Sequence, residues 1–182
     1  MKKLFKSLLV LAAVAVVGSA AAQQEGTALT FEAISAGKGS VEGIWFQKGK
    51  DIFSLSSEQA ASGTQSLKAK FIAAQSGPKG FNFKLPGRDS SYTLSKGTHT
   101  ISFKLYVCDY APKNLFISLP GDPGTTPGKA KVVLDDYPKN QWVDVSVDMD
   151  LSFDAVNKKI TLFLGKSDVD LGAFYIDDFM VK

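Results

Sequence analysis

The chain has 182 residues, 45% of them hydrophobic, with 21 basic and 18 acidic side chains. Three of the bases, Lys2, Lys3 and Lys6, sit at the very start, and without them the bases equal the acids in number. That balance, with Arg88 the only arginine, excludes the basic footprint that nucleic-acid recognition requires.

The N-terminus reads as an address. A lysine-rich start, an apolar run at 7–17 and small residues at 18–22 form the pattern of a secretory signal peptide cleaved after Ala22. The apolar run is short for a bilayer span, and no longer one follows. The sequence therefore predicts residues 1–22 as a signal and 23–182 as one exported domain, periplasmic or extracellular, with no membrane span. A single cysteine, Cys108, allows no internal disulfide and no cysteine-based metal cluster. At the end of an apolar run it reads as a small buried hydrophobe.

Past residue 22, no helical repeat of apolar residues is sustained, and runs of period two recur between Gly, Pro, Ser and Asn clusters. The predicted strands are 28–34, 52–56, 66–72, 81–85, 99–108, 114–119, 130–134, 141–149, 159–165 and 173–181. Several alternate cleanly: Ile101, Phe103, Leu105 and Val107 oppose Ser102, Lys104 and Tyr106. One apolar and one wet face is the pattern of antiparallel sheets packed as a β-sandwich. Loops at 76–80, 85–91 and 120–128 hold most of the prolines, and the last is the longest flexible segment, a plausible flap.

Chemistry is sparse. The one histidine, His99, reads as a partly exposed strand-end residue, and no G-x-S-x-G motif accompanies it. Acid pairs at Asp135–Asp136, Asp148–Asp150 and Asp168–Asp170 fall mostly at turns, where Asp is expected on backbone grounds. A glycoside hydrolase or polysaccharide lyase would rest on such pairs alone. Aromatic residues are more informative, because flat rings beside hydrogen-bonding groups suit the apolar faces of sugar rings. The candidates are Trp45, Tyr106, Tyr110, Phe116 with its neighbour Asn114, and Tyr137. Trp142 opens a strand and reads as cover for the edge of the core.

The order of signatures carries a resemblance. Leu29 to Ala33, Trp45, the segments 62–71 and 97–107, then 140–149 and 174–181 follow one another through nearly the whole domain. This resembles the jelly-roll carbohydrate-binding modules of galactose-binding-like fold. The resemblance implies an all-β jelly roll that binds a polysaccharide or oligosaccharide without catalysis, here as a free-standing secreted copy. A structural or protein-interaction domain of the cell envelope, with other envelope or secreted proteins as partners, is the alternative. The resemblance also implies a structural calcium ion held by Glu32, carbonyls near Gly63 to Lys68, and Asp177 or Asp178. The other reading of the two aspartates is a pair of strand-end acids, one solvated and one bonded to backbone or a lysine. The apolar residues switch parity across them, which predicts a β-bulge.

Overall fold

The computed structural model describes residues 29, 31–32, 40–41, 44–46, 52–71, 80–83, 93–156, 158–165 and 170–182, with the backbone alone described at 40–41, 44–46 and 80. The expected signal segment, Arg88, Asp168 and the loop at 85–91 lie outside these residues.

Two antiparallel sheets build the domain. The larger runs β1 (Ser40–Val41), β2 (Ile44–Phe46), β5 (Gly80–Phe83), β12 (Ile160–Leu164), β8 (Asn114–Leu119) and β9 (Gly128–Val133), in that spatial order. The smaller runs β10 (Trp142–Leu151), β7 (Gly97–Val107), β13 (Ala173–Val181), β4 (Ser66–Lys70) and β3 (Phe53–Ser56). A two-stranded ribbon pairs β6 (Thr93–Leu94) with β11 (Ala155–Val156). The non-sequential strand order within each sheet is that of a jelly roll.

Alternation sets which face is dry. In β8, Leu115, Ile117 and Leu119 are buried while Asn114, Phe116 and Ser118 are partly open. In β7, Ile101, Phe103, Leu105 and Val107 are buried in the same way. These inward residues share one core cluster with Phe174 and Ile176 of β13 and with Ile160 and Leu162 of β12. A chain of rings staples the sheets together. Phe53 stacks on Phe81, Phe81 contacts Phe83, and Phe83 meets Phe179 edge-on at 4.9 Å. Phe179 in turn stacks on Phe103 at 5.7 Å. Much of the aromatic content is therefore core: Phe31, Phe53, Phe81, Phe83, Phe103, Phe174 and Phe179 are all buried.

Three expectations change. Of the expected strand 28–34, residues 29, 31 and 32 are described: Leu29 makes a single antiparallel bridge with Phe179, and Phe31 then turns to φ 64°. The reason is packing, since the turn drops Phe31 onto Phe81 in the core. His99 is buried rather than partly exposed, its Nε2 2.7 Å from the Ser95 carbonyl. Cys108 is half-buried, and burial pushes its thiol up, away from the reactive thiolate.

The expected bulge is present. Asp177 pairs with Lys104 and Met180 with Ser102, so Asp178 and Phe179 together face Phe103. Asp178 takes φ 49°, in the left-handed region.

Candidate functional site

The acids at the bulge tie down the 57–65 loop that joins β3 to β4. Asp177 is fully buried, and its Oδ2 accepts the amide hydrogens of Ala61 and Ser62 at 3.0 and 3.1 Å. Its Oδ1 accepts the amide of Asp178, whose own carboxylate accepts the Ser62 hydroxyl at 2.8 Å. Burial pushes the Asp177 carboxyl above the usual range, while the amides of Ser62, Asp178 and Ala61 pull it back. Glu32 grips the same loop further on. Its Oε1 accepts the amides of Thr64 and Gln65, both at 2.9 Å, and its Oε2 accepts the Thr64 hydroxyl. These bonds, led by the Gln65 amide, hold the Glu32 carboxyl below its ordinary value.

That arrangement does not fit the calcium ion expected at Glu32, Asp177 and Asp178. Calcium needs six to eight converging oxygens, whereas the loop turns amide and hydroxyl hydrogens toward these acids. Among the described residues no group of three or more His, Cys, Asp or Glu side chains is placed to hold a metal. Hydrogen bonds do here what a cation would have done.

On the outer face of the five-stranded sheet, register places Trp142, Tyr106 and Tyr175 side by side. Tyr106 meets both neighbours edge-to-face, at 5.6 and 5.9 Å. Tyr175 donates its hydroxyl to Glu58 at 2.6 Å, and Lys68 clasps Glu58 through both oxygens. Burial, then the bond to Glu58, pushes the Tyr175 phenol up, so it stays protonated and cannot serve as a base. Beyond this row lies a trough of about 490 Å³ with Ser102, Ser146 and Met180 among its lining residues. Asp144 and Asp178 also line it. Lys104 stands between them in the sheet, 2.7 Å from Asp144. The hydrogen bond to Asp144 pushes the Lys104 ammonium up, so the trough is floored by an ion pair.

The outer face of the six-stranded sheet is different. Phe116 and Phe163 pair across β8 and β12 and lie nearly parallel, 5.1 Å apart at 12°. Both are partly open to solvent. Gly80 sits opposite Phe163 in the register, and Thr161 bonds to Asn82 in the next row. Gly165 lies beside Phe116, where a Cβ would rest 3.7 Å from the ring in ordinary van der Waals contact. From Gly165 the surface opens into a cleft of about 430 Å³ lined by Tyr110, Lys113, Asn114, Asp135 and Leu171. Tyr110 is 87% exposed, and its φ of 60° sets it on a corner fixed by the Gly172 amide bonding to its carbonyl at 2.7 Å.

Three of the residues expected to bind ligand thus come together: Tyr110, Asn114 and Phe116. Tyr106 lies on the opposite sheet, and Tyr137 packs half-buried against the core. Trp45 pairs with Asn82 in the register of the same sheet, its side chain outside the described part. Phe163, beside Thr161, reads from the sequence as another aromatic on a polar strand face, but its partnership with Phe116 depends on strand order.

No protein-family model matches the chain, and no curated protein matches it in sequence. Solved structures do match. A carbohydrate-binding module specific for non-crystalline cellulose aligns over 87% of this chain and 96% of its own, with a TM-score of 0.50 and 14% identity. The chain has the fold of carbohydrate-binding modules. An exo-β-agarase aligns over 85% of this chain with a TM-score of 0.53 and 11% identity. An arabinose-bound α-L-arabinofuranosidase covers 71% at 0.53 and 12% identity. The chain spans only 21% of the arabinofuranosidase and 24% of the agarase.

Proposed function

We propose that this is an exported, non-catalytic carbohydrate-binding domain. The observation that carries the reading is the parallel Phe116–Phe163 pair opening onto the exposed Tyr110 beside Asn114. Sugar rings would lie on the phenyl pair and against Tyr110, with Asn114 and Thr161 fixing their hydroxyls. Both amide and hydroxyl groups donate and accept, as a polyol requires. The likeness in fold to a carbohydrate-binding module agrees with this. The lysine-rich start and apolar run at the N-terminus support export.

Affinity electrophoresis against a panel of soluble polysaccharides tests the reading. Retardation by at least one polymer is expected, weakened about tenfold by Tyr110→Ala or Phe163→Ala. Mobility unchanged across a broad panel would overturn it.

A further inference from the structure

The composition of the two outer faces differs in one respect that bears on the ligand. No Asp or Glu occurs in β5, β8, β9 or β12, the four strands that carry the phenyl pair and its surroundings. Their outward charges are all positive. Lys131 stands directly opposite Phe116, and Lys129 opposite Ser118. Both are exposed. Lys113 lines the cleft beside Tyr110 and Asn114, where the Leu134 amide bonds to its carbonyl. Asp135, on the wall of that cleft, is paired with Lys139. The acids gather on the other sheet instead: Asp144, Asp148 and Asp150 in β10, and Asp177 and Asp178 in β13.

We propose that the Phe116–Phe163 face selects an anionic polysaccharide, one whose sugars carry carboxylate or sulfate groups. This rests on the carbohydrate-binding reading and sharpens it. Opposed residues on paired strands lie about 5 Å apart, so the Lys131 ammonium reaches a substituent on a ring lying over Phe116. Lys129 stands one two-residue step along β9, about 6.8 Å away, and would meet the next substituent along the chain. Lys113 continues the positive edge toward Tyr110. The rings supply attraction for any sugar; the lysines prefer a charged one, and β5, β8, β9 and β12 set no carboxylate of their own against it.

Affinity electrophoresis with matched polymers separates the possibilities. Polygalacturonate is compared with its fully methyl-esterified form, and a sulfated galactan with its desulfated backbone. Retardation by one charged polymer and little by its neutral partner is expected, and which charged polymer responds identifies carboxylate or sulfate. Lys129→Ala with Lys131→Ala should weaken binding about three- to tenfold, as two exposed ion pairs would. Salt at about 1 M, where the screening length is about 3 Å, should do the same. Lys70→Ala, an exposed lysine on the other sheet, should change nothing; an equal loss there would mean mere ion exchange and overturn the proposal. Equal binding of charged and neutral partners, indifferent to salt, would also overturn it while leaving carbohydrate binding intact. Binding to neither kind would remove both.

Discussion

Gly63 shows how closely the acids hold their loop. It takes φ 61°, and a Cβ there would fall 2.5 Å from the Glu32 carboxyl. Gly63→Ala should therefore cost about 1–2 kcal/mol from left-handed backbone alone, and more from the clash. In urea denaturation the loss should shrink when Glu32→Ala is present too, because the clash goes with the side chain. Strict additivity of the two would show that they do not touch. Glu32 also makes an acid-dependent contribution. Its folded value lies below its unfolded one, so its stabilisation is present at neutral pH and is lost as pH falls through the carboxylate range. Glu58 acts with the same sign, through its hydrogen bond from Lys68. Melting temperature should drop between about pH 5 and 3, and Glu32→Gln should flatten that dependence. A chelator, in contrast, should leave the melt unchanged at neutral pH. A rise with added calcium would restore the metal that these acids were expected to hold.

At the scale of elements, alternation made the sheets legible. Burial in β7, β8 and β9 follows period two, and so did the expected strands at 99–108, 114–119 and 130–134. The bulge was legible too, because Phe174 and Ile176 before it and Phe179 and Val181 after it cannot share a face without an extra residue. What escaped was short or bent. The two-residue strands β6 and β11 have too few residues to show a period, and the bridge at Leu29 is held by one pair of backbone bonds. Most of the phenylalanines carry no ligand, since a ring chain from Phe53 to Phe103 fills the sandwich. Phe179 is its junction, touching Phe83 and Phe103, and Phe179→Ala should cost about 3–5 kcal/mol by denaturant unfolding.

At the scale of the whole molecule, the equal numbers of acids and bases past the first six residues concealed a division. Sequence parity separates wet residues from dry ones but does not say which strands are neighbours, so Tyr106 and Phe116 looked equivalent. Strand order puts them on opposite sheets, Tyr106 between Trp142 and Tyr175 and Phe116 between Phe163 and Lys131. The candidate surface became visible only once Phe163, distant in the chain, was placed beside Phe116. Trp142→Ala, on the acidic side, should leave polysaccharide retardation as it is in the same gel that registers Phe163→Ala. An equal loss from both would move the binding surface to the other sheet.

The position of β13 has a consequence in time. It follows every other strand in the chain, yet it lies at the centre of its sheet, between β7 and β4. Until it is made, β10–β7 and β3–β4 are two separate strand pairs with no strand bonded between them, and Leu29 has no Phe179 to meet. The five-stranded sheet therefore stays in two halves, without its central partner, until the last strand has been made.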